Sequence, residues 1–172
     1  AGDVNGDGYS DVIVGASGYD NGQSNEGSAF VYHGSASGLP GAPNATLLDA
    51  NWTLESDQAD TNLGGSVMTA GDVNGDGYAD VIVGASGYDN DQSNEGGAVV
   101  FHGAASGLAG APNATLLDAA WAAEGNQDSS GFGSSVATAG DVDGDGYADV
   151  IVGASGFDFG QTDEGIALVY HG

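Results

Sequence analysis

The stretch AGDVNGDGYSDVIVGAS, residues 1–17, carries oxygen-bearing side chains at alternate positions, with glycines between them, and then enters an apolar run. Near-copies of this stretch begin at Ala70 and Ala139, so the chain repeats with a period of 69 residues. Residues 1–34 match residues 70–103 at 29 of 34 positions. Self-similarity at a fixed period indicates a repeat architecture, in which each copy forms the same structural unit.

The composition restricts the partners that this chain can bind. Its 172 residues include no Lys, Arg or Cys, and 25 Asp and Glu residues give a formal charge of −25. Nucleic acids are bound by cationic side chains, so the composition excludes a nucleic-acid partner. It also disfavours anionic membrane surfaces, and no apolar run approaches the roughly 20 residues of a membrane helix, so no membrane insertion is expected. Divalent cations are the natural partners of such a surface.

The apolar segments are short, rich in β-branched residues and bounded by Gly, Asn, Asp and Ser. The run Val81-Ile82-Val83 is typical of a strand that is covered on both faces. Turn-separated segments of this kind predict an all-β fold of four-stranded antiparallel sheets, each arranged as a meander. In the second period the four predicted strands are 80–84, 97–102, 114–118 and 134–139.

The alternating polar residues predict a metal-binding loop in every copy. Side chains at loop positions 1, 3, 5 and 9 offer oxygen atoms, and the backbone carbonyl of the tyrosine at position 7 offers another. Hard oxygen ligands on a flexible loop favour Ca²⁺, with Mg²⁺ second, whereas Zn²⁺ would require His or Cys. About three Ca²⁺ per chain are expected, in the sets Asp3, Asn5, Asp7, Tyr9 and Asp11; Asp72, Asn74, Asp76, Tyr78 and Asp80; and Asp141, Asp143, Asp145, Tyr147 and Asp149.

A solvated polar turn and an EF-hand loop are the two alternatives to this interpretation. A solvated polar turn explains one copy, but three copies in register crowd carboxylates that would repel one another without a cation. An EF-hand loop requires Glu at position 12 and a helix after the loop. Position 12 is Val14, Val83 or Val152, and a β-branched run contains it, so the EF-hand interpretation fails.

The longer segment FGSSVATAGDVDGDGYADVIVGA, residues 132–154, resembles the FG-GAP repeat of integrin α-subunit β-propellers and their bacterial relatives. The first dipeptide of the motif is Phe132-Gly133, and the preceding period has Leu63-Gly64 in its place. The closing Gly-Ala-Pro is Gly-Ala-Ser in every copy, as at residues 153–155, so the proline is missing. The resemblance extends over essentially the whole chain.

In that family each repeat is one four-stranded propeller blade, and the acidic loop binds structural Ca²⁺. The resemblance therefore implies about two and a half β-propeller-type blades over residues 1–172, which form an incomplete propeller or part of a larger assembly, since closed propellers have four to eight blades. The predicted FG-GAP repeats are 1–69, which lacks its first strand, 70–138, which is complete, and 139–172, which is a half repeat.

The resemblance also implies a function. An extracellular module, secreted or at the cell surface, would serve adhesion or surface assembly and bind a protein or glycan ligand, or copies of itself as a homo-oligomer or filament. The alternative is a structural subunit of an extracellular filament or coat built from stacked blades. Catalysis is not expected, because a catalytic site usually needs a unique constellation and these carboxylates are repeated.

Three further sets of residues recur at the same period. His33, His102 and His171 each precede a glycine at the end of a predicted strand, and a structural role is expected for them. Trp52 and Trp121 are expected to pack between blades, with contact to a sugar ring as the alternative. The loop with Asp20, Asn25 and Glu26, equivalent to Glu95 and Glu164, is expected to form a polar hairpin, with a weak second cation site as the alternative.

Overall fold

The computed structural model describes residues 1–172 and consists of short strands with two 3-10 helices, at Leu47–Asp49 and Leu116–Asp118. It has no helix long and apolar enough to cross a membrane. The strands are, in chain order, β1 (Val12–Ala16), β2 (Ser28–Tyr32), β3 (Trp52–Glu55), β4 (Leu63–Gly71), β5 (Asp80–Ala85), β6 (Gly97–Phe101), β7 (Asn113–Thr115), β8 (Trp121–Glu124), β9 (Phe132–Gly140), β10 (Asp149–Ala154) and β11 (Ile166–Tyr170).

The strands form three sheets that follow one another along the chain. The first sheet has the order β1-β2-β3-β7, the second β4-β5-β6-β8, and the third β9-β10-β11. Consecutive strands pair antiparallel, as the meander pattern predicts, whereas β7 joins β3 in parallel. The expected all-β fold of β-propeller-type blades is therefore confirmed.

The central sheet is buried on both faces. Val81 and Val83 of β5 belong to an apolar cluster shared with the first sheet, and Ile82 between them belongs to a second cluster shared with the third sheet. All six residues of β5 are buried. Since successive side chains of a strand point to opposite faces, this continuous β-branched run fills two cores at once, as the sequence predicts.

The two tryptophans lie at the boundaries between sheets. Trp52 of β3 is 1% exposed, and its ring centroid lies 5.0 Å from that of Phe101 in the second sheet, in an edge-to-face contact. Trp121 of β8 makes the same contact with Tyr170 of the third sheet at 4.9 Å. The prediction that the tryptophans pack between blades is confirmed.

The strand predicted at residues 114–118 is wrong. Only Asn113–Thr115 is extended, and it pairs with β3 of the preceding sheet, while Leu116–Asp118 forms a 3-10 helix. The backbone N–H and the Oγ1 hydroxyl of Thr115 donate to Asp118 Oδ2 at 2.9 and 3.0 Å, which closes the turn. The fourth strand of the second sheet is β8, which begins three residues after this helix.

Glycine allows the sheets to approach one another closely. Gly133 follows Phe132 in a bulge of β9 with φ of +80°, a conformation that side chains rarely adopt. Its carbonyl oxygen lies directly against Gly84 of β5, where a Cβ atom would overlap it. The same contact joins Gly15 of the first sheet to Gly64 of the second. In both cases the glycine of a Gly-Ala-Ser motif contacts the glycine of the Phe-Gly or Leu-Gly pair in the following sheet.

This contact predicts a difference between two equivalent glycines. Gly84→Ala should reduce the free energy of unfolding by about 2 kcal/mol or more, because the new methyl group meets a backbone carbonyl that cannot move away alone. Gly153→Ala is the matched control, since a Cβ there meets only the hydroxyl of Ser135, which can rotate. Urea unfolding of both variants checks the prediction, and equal losses would contradict it.

Candidate metal centre

The three acidic loops lie side by side at one end of the sheets. The second loop connects β4 to β5 and the third connects β9 to β10, while the first leads into β1. Neighbouring loops are joined by backbone hydrogen bonds, from Ala79 N–H to the Asp3 carbonyl at 3.0 Å and from Ala148 N–H to the Asp72 carbonyl at 2.9 Å. The repeat therefore arranges the candidate ligands in a row.

The tyrosine at loop position 7 has a role that the sequence analysis missed. The ring of Tyr78 packs on Gly6 of the first loop, and the ring of Tyr147 packs on Gly75 of the second loop. A Cβ atom at either glycine would collide with the ring. The recurrence of Tyr after Asp-Gly is the sequence signal that could have indicated a stacking residue.

The third loop brings three carboxylates together. Asp141, Asp143 and Asp145 are exposed and each offers an oxygen atom within 4.8 Å of the others. Asp141 also accepts backbone N–H groups from Gly144 at 2.7 Å and Gly146 at 3.0 Å, and these bonds hold the loop in a tight turn around the carboxylate. Oδ1 accepts a second bond, from the Asp145 N–H at 3.1 Å, whereas Oδ2 accepts only that of Gly146 and keeps a lone pair for a cation.

The first and second loops share several of these internal bonds. Asp3 Oδ2 accepts from Gly8 N–H and Asp72 Oδ2 from Gly77 N–H, both at 2.9 Å. In each of these loops an asparagine replaces Asp143 and donates from Nδ2 to the next aspartate, as Asn74 does to Asp76 at 2.9 Å. These two loops therefore present two carboxylates and an amide where the third presents three carboxylates.

The aspartate at loop position 9 is buried, unlike the exposed carboxylates of its loop. Asp80 Oδ2 accepts the Val73 N–H and Oδ1 accepts the Gly103 N–H, both at 2.8 Å, so this carboxylate joins the loop to the end of β6. Asp11 makes the equivalent bonds to Val4 and Gly34 at 2.8 Å. This predicted ligand position thus also has a bracing role that the loop spacing did not indicate.

In the third repeat the equivalent brace includes a histidine. Asp149 accepts the Val142 N–H at 2.7 Å and the Gly172 N–H at 3.0 Å. His171 Nδ1 lies 3.3 Å from Asp149 Oδ1 and 3.4 Å from Asp143 Oδ2. Asp143 therefore belongs to two groups of potential ligands, one with Asp141 and Asp145 and one with Asp149 and His171.

The position-9 aspartates of the second and third loops, Asp80 and Asp149, differ in the direction of their pKa shifts. Burial raises the pKa of the Asp80 carboxyl, against the opposing effect of its two backbone hydrogen bonds. The Val142 N–H lowers the pKa of the Asp149 carboxyl, with further lowering from Gly172 and His171. The carboxylate form is thus favoured at Asp149 and disfavoured at Asp80, although both side chains accept two backbone bonds.

The polar loop between β5 and β6, which is distinct from the acidic loops, is held by a buried glutamate. Glu95 is 0% exposed, and its Oε1 accepts the N–H groups of Asn90 at 2.8 Å and Asp91 at 3.0 Å. Glu26 holds Asn21 in the same way, while Glu164 is exposed. The structure thus forms the expected polar hairpin around an internal carboxylate.

The donor set of the acidic loops suits a hard cation. Within the acidic loops every exposed candidate side chain offers a carboxylate or amide oxygen, and the chain has no Lys or Arg to neutralise the charge. Clustered oxygen donors on a backbone turn favour Ca²⁺ over Zn²⁺, which is bound mainly by nitrogen and sulfur ligands. The geometry therefore fits a calcium-type site, most completely in the third loop.

Comparison with known proteins identifies the repeat. The family model of the FG-GAP repeat matches residues 1–32, 63–102 and 132–170. The chain is similar to integrin alpha-IIb of Mus musculus, with 36% identity over 154 residues, which cover 90% of this chain and 14% of that protein. It is also similar to integrin alpha pat-2 of Caenorhabditis briggsae, with 34% identity over 165 residues, 88% of this chain and 12% of that protein.

A relative of another kind is phosphatidylinositol-glycan-specific phospholipase D of Bos taurus. It is 30% identical over 172 residues, which cover 98% of this chain and 19% of that protein. The chain thus spans between 12% and 19% of the length of these three relatives. The match concerns the repeat, and the activity named in the phospholipase belongs to that protein.

The two backbone hydrogen bonds that Asp80 accepts predict a loss of stability that does not involve a metal. In the presence of a chelator, Asp80→Ala should reduce the free energy of unfolding by about 2–4 kcal/mol, because two backbone N–H groups lose their buried partner. Asp76→Ala, in the exposed part of the same loop, should cost about 1 kcal/mol or less. Urea unfolding in chelator measures both, and a loss at Asp76 as large as at Asp80 would contradict the bracing role.

Proposed function

Because this chain belongs to the FG-GAP repeat family, we propose that it is a non-catalytic, calcium-binding β-propeller module that acts outside the cell in adhesion or surface assembly. Three Ca²⁺ ions bind per chain, one in each acidic loop. The ligands are the carboxylate and amide oxygens at loop positions 1, 3, 5 and 9 and the tyrosine carbonyl at position 7. The partner is a protein or glycan ligand at a cell surface, or another copy of the chain.

The observation that carries this proposal is the group of three carboxylates in the third loop. Asp141, Asp143 and Asp145 offer oxygen atoms within 4.8 Å of one another and are accessible from solvent. Like charges at that separation destabilise one another unless a cation or hydrogen-bond donors compensate. Backbone N–H groups compensate part of the charge at Asp141, and a divalent ion would compensate the rest.

The row of loops gives the ions a structural role. Each loop holds the preceding loop through the tyrosine ring and a backbone hydrogen bond, as Tyr78 and Ala79 do with the first loop. An ion that orders one loop therefore also orders the surface on which the tyrosine of the next loop packs. This arrangement supports a stabilising function for the metal, in which the sheets are held in order.

The chemistry of the loop and the relatives of the chain support an extracellular location. Calcium sites in extracellular modules have dissociation constants of about 0.1–1 mM, which suit the millimolar Ca²⁺ outside cells. The similarity to integrin alpha subunits supports adhesion as the function class. The non-catalytic role is supported by the repetition, because the same ligand set recurs in every loop whereas catalysis usually needs a unique constellation.

Removal of calcium should reduce stability. At about 1 mM Ca²⁺, a site with a dissociation constant of about 0.1–1 mM stabilises the fold by roughly 0.4–1.4 kcal/mol, so three sites contribute roughly 1–4 kcal/mol. Thermal unfolding should therefore occur at a lower temperature in chelator than in 1 mM Ca²⁺, and calorimetry should give three ions per chain. Identical melting in both buffers would overturn the proposal.

The third loop should bind Ca²⁺ most tightly, because it has one more carboxylate than the other two. Asp143→Asn should weaken this site to the level of the other loops, and the reciprocal change Asn74→Asp should strengthen the second site. Isothermal titration calorimetry of the two variants and the unchanged chain tests the prediction. Unchanged affinities in both variants would show that charge does not set the order.

A further inference from the structure

A polar hairpin in each of the first two repeats encloses a carboxylate that does not belong to the acidic loops. The hairpins are residues 19–27, YDNGQSNEG, and residues 88–96, YDNDQSNEG, which differ at one position. Their glutamates, Glu26 and Glu95, are both 0% exposed. A carboxylate that is buried away from water needs compensating partners inside the protein.

The two oxygen atoms of this carboxylate have different surroundings. In the second hairpin Glu95 Oε1 accepts the N–H groups of Asn90 at 2.8 Å, Asp91 at 3.0 Å and Gln92 at 3.4 Å. Glu95 Oε2 is also buried and accepts no hydrogen bond from the chain. The side-chain oxygen of Gln92, Oε1, is likewise buried and without a donor. The hairpin thus contains two acceptor atoms that no group of the chain satisfies.

The first hairpin repeats this arrangement. Glu26 Oε1 accepts the Asn21 N–H, while Glu26 Oε2 and Gln23 Oε1 are buried and have no donor. Since the same two positions are affected in both copies, the arrangement is a property of the hairpin and not of one copy.

The nearby backbone donors are already used by other acceptors. The Ser93 N–H donates to Asp128 Oδ1 at 3.1 Å, and the Asn94 N–H donates to Asp89 Oδ1. Together with the three N–H groups on Glu95 Oε1, each N–H group from residue 90 to residue 94 therefore has a carboxylate partner. The chain has no Lys or Arg that could supply another donor.

The loop that precedes the next sheet closes over the hairpin. In the second repeat the Ser129 N–H donates to the Ser93 carbonyl at 2.8 Å, and the Ser130 hydroxyl donates to the Glu95 carbonyl at 2.6 Å. These bonds hold the loop against the hairpin backbone. The carboxylate therefore lies inside the protein, between the hairpin and the loop that follows it.

The two unsatisfied atoms have the chemistry of cation ligands. Ionised carboxylate oxygens and amide oxygens accept hydrogen bonds but cannot donate them, and hard cations prefer oxygen atoms of these kinds. Each hairpin buries one carboxylate, so a singly charged ion leaves the site neutral, whereas a divalent ion would leave an excess positive charge in a buried place. Ca²⁺ also takes about six to eight oxygen ligands, many more than the two free oxygen atoms of the hairpin.

We propose that each of these two hairpins binds one small monovalent cation of the Na⁺ type between the glutamate Oε2 and the glutamine Oε1. The ligand pairs are Glu26 with Gln23 and Glu95 with Gln92. The ion balances the buried charge and connects the glutamate at the end of the hairpin to its turn. These two sites are separate from the acidic loops and take a different ion, so they leave the number of proposed calcium sites unchanged.

The test compares thermal unfolding of the 172-residue chain, in chelator, in NaCl and in choline chloride, each at about 150 mM. The two salts have the same ionic strength and screen surface charges equally, but choline is too large for an enclosed site. The unfolding midpoint should be lower in choline chloride by about 2 °C or more, because the ion that binds the folded state is missing. The chelator removes calcium, so the comparison is independent of the calcium sites.

A double variant at the two glutamates identifies the site. Glu26→Gln together with Glu95→Gln keeps an oxygen atom for the backbone N–H groups and places an amide NH₂ group beside the glutamine oxygen, which removes the need for a cation. This variant should unfold at the same temperature in both salts. In choline chloride it should be at least as stable as the unchanged chain, so a failure to fold cannot imitate the expected result.

The matched control removes the same number of charges from neighbouring carboxylates. Glu55 and Glu124 are only partly buried and accept the side-chain N–H groups of Asn21 at 2.9 Å and Asn90 at 3.1 Å. The double variant Glu55→Gln, Glu124→Gln should retain the difference between the two salts, because it leaves the enclosed oxygen atoms unchanged.

Three results would overturn the proposal. Equal midpoints of the unchanged chain in both salts would assign the two oxygen atoms to a buried water or a shared proton. A difference that persists after Glu26→Gln and Glu95→Gln would place the ion elsewhere, as in the acidic loops. A difference that the control variant also loses would show a general effect of charge and not a site.

Discussion

The structure depends on how a chain without Lys or Arg neutralises its carboxylates. Backbone N–H groups are the main donors, and at several points where they converge the sequence places a carboxylate. Asp80 joins a loop to the end of a strand, Glu95 holds a polar hairpin, and Asp118 closes a 3-10 helix. In the third acidic loop the three exposed carboxylates also accept backbone N–H groups, and under the proposed function a divalent ion would supply the positive charge that the chain lacks.

The strands that carry the fold could be predicted from the sequence because burial and residue type agree there. Val81, Ile82 and Val83 are β-branched or aliphatic, continuous and buried on both faces, so local preference and tertiary packing favour the same conformation. The Leu116-Leu117 pair misled the prediction because it is apolar, yet only Leu116 packs against a core. Leu117 is 96% exposed, and the hydrogen bonds between Thr115 and Asp118 determine the local structure instead.

The residue types of the candidate site could be predicted from the sequence, but the separate structural roles of the individual loop positions could not. Alternating oxygen donors indicated a cation loop, and the structure brings Asp141, Asp143 and Asp145 together. Spacing alone could not reveal that the aspartate at position 9 accepts two backbone N–H groups, because one of those groups, on Gly103, lies 23 residues away. The stacking of Tyr78 on Gly6 is likewise a contact between repeats, which a reading of one loop does not reveal.

The glycine contact between sheets has a consequence for how such a chain evolves. The Gly64 carbonyl packs on Gly15 as the Gly133 carbonyl packs on Gly84. The two junctions between neighbouring sheets therefore use the same pair of complementary surfaces. Unequal recombination that inserts or deletes one 69-residue unit leaves every junction with a compatible neighbour. The number of units can therefore change without any junction needing a new contact surface.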